Sequence, residues 1–161
     1  MPYAPGVAGR IVVGVDGSPA SQAALRFAVE EARLRDASVV AVHAWMFVPA
    51  PQIGEPGMIP MATEDIAGEL GAERAAAQRE LDNGVALAFS GSPPREIESR
   101  LVEGDAGEVL AAEAGNAELV IVGSRGRGGL KSALLGSVSQ HVAHHAPCPV
   151  VVVKAPTAED V

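Results

Sequence analysis

The residues best suited to chemistry sit in one segment, Gly123-Ser124-Arg125-Gly126-Arg127-Gly128-Gly129-Leu130-Lys131-Ser132-Ala133-Leu134-Leu135-Gly136-Ser137-Val138-Ser139. Four of its first seven residues are glycine, which lets backbone turn sharply and come close to a ligand. The apolar run Leu119 to Val122 leads into it, and a helical pattern from Ser137 to His145 leads out. The first N–H groups of a helix lack partners inside the helix, and the helix dipole favours negative charge there. Gly136-Ser137 opens this helix, with Ser137 the expected N-cap. Arg125, Arg127 and Lys131 add local cations. The chemistry these features predict is capture of an anion, above all a phosphate chain, by backbone amides. The segment is neither a Walker A sequence nor a GxGxxG directly after a first strand. From spacing alone, a plain connecting loop is an equal alternative.

Open parallel sheets bind ligands at the carboxyl ends of their strands. Asp16-Gly17-Ser18, His43-Ala44-Trp45 and Glu103-Gly104-Asp105 are therefore expected beside the glycine segment. Asp16 can touch a ligand or cap a turn. Trp45 can stack on a base or fill the core. His141, His144 and His145 share a helical face, but no third carboxylate or cysteine is placed to complete a metal site, so no metal is expected. Cys148, between Pro147 and Pro149, reads as a small core residue rather than a nucleophile. Arg125-Gly126-Arg127-Gly128-Gly129 has the look of an RGG segment, yet it is single and lies in an acidic chain, so no nucleic-acid partner is expected. No base is evident at the phosphate end, and no catalytic residue is assigned.

The elements that must position these residues follow from the apolar pattern. Ile11 to Val15 is a buried strand, followed by a helix with Ser18 as N-cap and Pro19 at its first position, running to about Arg35. Ser38 to Ala44 is a second buried strand. Met46 to Ala62, with prolines at 49, 51, 56 and 60, is a loop. Thr63 begins a helix reaching about Ala88, with Gly68, Gly71 and Gly84 weakening it. Arg95 to Val102 is a more polar strand, expected nearer an edge. Asp105 caps the next helix, with Glu108 three residues on as in a capping box. Leu119 to Val122 and Val150 to Val153 complete the strands. The alternation predicts an α/β fold: a single open five-stranded parallel sheet with helices on both faces, Rossmann-like.

Composition bounds the rest. The chain has 161 residues, suited to one domain. Its residues are 48% hydrophobic but only 3% aromatic, so the core must be built from Val, Leu, Ile and Ala. A net charge of −8 argues against general nucleic-acid or anionic-membrane binding. One cysteine cannot form an internal disulfide, and neither a secretory leader nor a membrane span is evident. A cytoplasmic location is expected.

The spacing Gly-x2-Gly-x9-Gly-Ser is carried by Gly123, Gly126, Gly136 and Ser137. Together with Val13-Gly14-Val15-Asp16-Gly17-Ser18 and His141 to Val150, it resembles the ATP-binding members of the universal stress protein family. The resemblance runs from about Ile11 to Lys154, leaving 1–10 as an extension and 155–161 as a tail around a domain at 11–154. It is weakest over Met46 to Ala62. It implies the fold of the adenine nucleotide alpha hydrolases and ATP as ligand, with Mg2+ a further expectation. It implies that Asp16 contacts ribose or adenine, that Gly14 and Val15 line the base pocket, and that Ala44 meets adenine through its backbone. Gly123 would lie by the ribose, and Gly126, Gly136, Ser137, Val138 and Ser139 would hold phosphates. Ser124, Arg125, Arg127, Gly128 and Gly129 are counted with the binding residues. The function implied is a nucleotide-sensing or nucleotide-carrying stress-response module; a slow ATPase and a binder of AMP or cyclic AMP are the alternatives. A homodimer through Val150 to Val153 is expected from the flat apolar edge and from the resemblance.

Overall fold

The structure is a computed structural model and describes residues 9–49, 63–127 and 135–156. The Pro-rich segment from residue 50 to 62, and Gly128, Gly129 and Lys131, lie outside the described residues. The elements are β1 (Arg10–Gly14), α1 (Pro19–Arg35), β2 (Ser38–Trp45), α2 (Thr63–Ala88), β3 (Ile97–Glu103), α3 (Ala106–Glu113), β4 (Leu119–Gly123), α4 (Ser137–His145) and β5 (Val150–Val153). A short 3-10 turn, Ala114–Asn116, follows α3.

The strands form one parallel sheet in the order β3-β2-β1-β4-β5. Strand order reverses between β1 and β4, so the crevice of an open α/β sheet must lie above their carboxyl ends. Alternation along the strands sorts the core into two layers. Ile11, Val13, Val39, Ala41, Leu119 and Ile121 face α1 and α2. Val12, Val40, Val42, Val120 and Val122 face α3 and α4. Burial on both faces is why the middles of β1, β2 and β4 read as apolar runs, broken only by His43 in β2. β3 mixes charged and apolar residues and has no fully buried position, as an edge strand can. It starts at Ile97 rather than Arg95, because Ile97 is the first residue to pair with β2, opposite Val39.

Two helix starts follow the sequence closely. Ser18 caps α1, its Oγ accepting from the Ser21 N–H at 3.2 Å. Asp105 caps α3, with Oδ1 accepting from Gly107 and Glu108 at 3.0 and 3.2 Å. The amino end of the sheet is closed by charge: the Glu113 carboxylate takes Arg10 and, at 3.0 Å, Arg100. Hydrogen bonding to Glu98, with Glu113 nearby, pushes the Arg100 pKa up, so this guanidinium is permanently charged.

Candidate functional site

The site is assembled where β1 and β4 leave the sheet. Asp16 Oδ1 accepts from the Ser18 N–H at 2.9 Å, so the turn-capping role is filled. Ser18 Oγ reaches across to the Arg125 carbonyl at 3.4 Å, joining the β1 exit to the glycine loop. At the β4 exit, a Cβ on Gly123 would stand 2.8 Å from the Ala20 carbonyl carbon and 2.9 Å from the Ser21 nitrogen. A Cβ on Gly126 would stand 2.8 Å from Asp16 Oδ2. The loop is thus threaded against the start of α1 at two points. Its far end is tied back as well, because the Ser124 carbonyl accepts from the Gly136 N–H at 2.8 Å and from Ser139 Oγ at 3.3 Å.

That closure changes the expected start of α4. The N-cap is Gly136 (φ −73, ψ 167), and Ser137 is the first helical residue. The Gly136 carbonyl already accepts the first helical bonds, from the Gln140 N–H and from Ser139 Oγ, both at 3.0 Å. Gly136 therefore takes the capping position expected of Ser137. Among the described residues no side chain caps α4, whereas α1 and α3 are both capped.

Above these exits lies a cavity of about 450 Å³, within the range of small-molecule sites. Its apolar part is walled by Val42, Ala44, Ala106, Leu110 and Val122. Its polar part carries Asp16, Ser18, Arg125, Gly126, Ser137 and Ser139, with Gly136 at the helix start. Of the residues expected from the sequence, Gly14, Val15, Ala44, Gly123 and Val138 also border it. Ser124 is buried and serves the loop's scaffold. Arg127 turns away: its Nη1 is 3.2 Å from Glu80 Oε2 on α2. Sequence reasoning expected the His43-Ala44-Trp45 segment beside the glycine loop but gave His43 no role of its own, and it singled out neither Ala106 nor Leu110. His43 left a signal, a polar residue inside an apolar strand; its Nδ1 lies 2.7 Å from the Val15 carbonyl. Ala106 and Leu110 left none, since a small or apolar residue in α3 reads as part of the face packed on the sheet.

The universal stress protein family model matches residues 8–154. The chain belongs to the universal stress protein family. A universal stress protein of Mycobacterium tuberculosis is 38% identical over 147 residues, which is 89% of this chain and 44% of that protein. The chain spans about half the length of the curated relatives it matches. Among solved structures, a universal stress protein from Archaeoglobus fulgidus in complex with dAMP is 27% identical, with 92% of this chain and 100% of that one covered and a TM-score of 0.53. A universal stress protein in complex with cAMP is 25% identical, covering 94% and 100%, with a TM-score of 0.56.

Elsewhere in this universal stress protein, the C-terminal histidines sit on α4. His141 packs on α3, where a Cβ at Gly107 would meet its Cγ at 2.8 Å. It stacks on His145 with ring centroids 4.2 Å apart. The Nδ1 atoms of His144 and His145 lie 2.9 Å from the carbonyls of Gln140 and His141. Among the described residues, no group of three or more His, Cys, Asp or Glu is arranged to hold a metal ion. Cys148 is half-buried against the layer of α3 and α4, and burial pushes its thiol pKa up. Among the described residues, no helix is long and apolar enough to cross a membrane.

Proposed function

We propose that this chain binds ATP in the cavity above β1 and β4 and acts as a nucleotide-sensing or nucleotide-carrying module. The observation that carries the reading is the start of α4. Gly136 has an ordinary negative φ, and among the described residues a Cβ there would meet nothing closer than 3.6 Å. Neither backbone conformation nor packing requires glycine at that position. A ligand that needs the space does, and the uncapped N–H groups of α4 beside it suit phosphate oxygens. Arg125 adds a cation on the same side. The apolar wall of Val42, Ala44, Leu110 and Val122 suits a purine, and Asp16 Oδ2 suits a ribose hydroxyl. The relatives whose names state dAMP and cAMP support an adenine nucleotide and favour a second reading, in which the ligand is a monophosphate such as AMP or cyclic AMP. We further propose a cytoplasmic homodimer paired through β5.

The deciding experiment is identification by mass spectrometry of any nucleotide released from the denatured protein, followed by calorimetric titration with ATP, AMP and cyclic AMP. ATP binding tightest supports the first reading, and a monophosphate binding tightest supports the second. No heat with any adenine nucleotide overturns both. ADP production followed over hours with Mg2+ present then separates a binding module from a slow ATPase.

A further inference from the structure

The two arginines that flank Gly126 go different ways. Arg125 lines the cavity. Arg127 reaches over the β1–α1 turn to Glu80, and a Cβ at Gly17 would lie 3.0 Å from its Nη2. Gly17 has φ +77, so the backbone reserves that position for glycine. The Glu80 oxygen that holds Arg127 also stands 3.6 Å from His43 Nε2. His43 is in turn 2.7 Å from the Val15 carbonyl through Nδ1. One carboxylate of α2 therefore holds the glycine loop through Arg127 and stands beside the exits of β1 and β2. One turn further along α2, a Cβ at Gly84 would stand 2.8 Å from Val15 Cγ1, so the helix is pressed onto the same exit.

The Arg127–Glu80 pair is open to exchange. Its side chains are 57% and 46% exposed, and exposed ion pairs hold weakly. Arg127 follows directly on Gly126, which lines the cavity, and its guanidinium rests on Gly17 next to Asp16, which also lines it. Neither Arg127 nor Gly17 lines the cavity, but each is next in sequence to a residue that does, so both ends of the side chain lie one residue from its wall. A phosphate chain carries more negative charge than a carboxylate and offers the guanidinium a forked acceptor. Resting on the nucleotide reading above, the geometry points to Arg127 as a specificity-determining residue for the phosphate chain, held off the cavity by Glu80 until a polyphosphate displaces that carboxylate. Arg127 then changes partners, Glu80 keeps only His43, and α2 loses its tie to the glycine loop. A nucleoside leaves the pair intact.

The test is a double-mutant cycle by titration calorimetry on the full chain, with ATP and adenosine as probes. E80Q tightens ATP by about threefold to tenfold and leaves adenosine unchanged. R127Q weakens ATP by a similar factor, again without touching adenosine. In the R127Q background, E80Q adds nothing. This last arm separates exchange of partners from plain relief of charge repulsion, which would tighten ATP in both backgrounds. Should R127Q fail to fold, R127K gives the same cycle with a reduced gain from E80Q. ATP binding by E80Q equal to or weaker than the parent overturns the exchange while leaving nucleotide binding standing. No binding of either probe by the parent overturns both.

Discussion

At the scale of single residues, three glycines of one loop answer to different neighbours. Gly123 abuts main chain, the Ala20 carbonyl carbon and the Ser21 nitrogen, neither of which can move without α1. Gly123→Ala is expected to destabilise the fold by about 1–3 kcal/mol, the usual cost of overpacking. Gly126 abuts the Asp16 carboxylate, which is pinned by the Ser18 N–H. Gly126→Ala should leave stability within about 1 kcal/mol of the parent, because a side chain rather than backbone must give way. It should weaken nucleotide binding at least tenfold, because Asp16 is turned out of the cavity and the loop is lifted. Gly136 has room around it, so Gly136→Ala should be near neutral in urea denaturation and lose affinity only. Stability curves and calorimetry on the three variants check this directly. A ligand-neutral Gly136→Ala with an unstable Gly126→Ala would reverse the assignment of packing and binding between them.

At the scale of the elements, α2 holds glycines of opposite meaning. Among the described residues, nothing lies within 4 Å of where a Cβ on Gly68 or Gly71 would stand. Glycine inside a helix costs about 0.5–1 kcal/mol relative to alanine, so Gly68→Ala and Gly71→Ala should each stabilise by that amount. Gly84 faces Val15 Cγ1 and the backbone of Gly17, so Gly84→Ala should destabilise despite its better helix propensity. Denaturant midpoints of the three variants test the contrast in sign. Much of this architecture was legible in the sequence, because it is local. Ser18-Pro19 and Asp105 name the starts of α1 and α3, the apolar runs name the buried strands, and the more polar make-up of β3 names an edge. What was not legible depends on distant partners. Gly136 rather than Ser137 caps α4 because the Ser124 carbonyl, across the loop, takes its N–H. Arg127 leaves the cavity for Glu80, 47 positions away in the chain. His43 finds the Val15 carbonyl 28 positions away. Ala106 and Leu110 become cavity wall only because α3 is laid across the strand ends, and no spacing in the sequence encodes that placement.

At the scale of the whole molecule, the sheet has two open edges among the described residues, and they are protected unequally. β3 carries Glu98, Arg100 and Glu103, charges that discourage pairing with another strand. β5 is four valines, all partly exposed. Its hydrogen-bonding directions follow from its ties to β4. The carbonyls of Pro149 and Val153 accept from Val120 and Ser124 at 3.0 and 2.7 Å. Alternation then turns the amide and carbonyl of Val151 toward β4, and those of Val150 and Val152 toward the open side. A second copy related by a two-fold axis would pair antiparallel along those groups. Val152→Pro removes one outward N–H without touching the ladder to β4, so it should give a folded monomer that still binds nucleotide. Val151→Pro removes an inward N–H and should unfold the edge instead. Sedimentation at micromolar concentration reads the first effect and circular dichroism the second. A parent that sediments as a monomer, or a Val152→Pro variant that remains dimeric, would place the interface elsewhere. The cavity opens at the carboxyl ends of the strands while the β5 edge runs along the sheet's side, so loss of the dimer should cost the nucleotide little affinity.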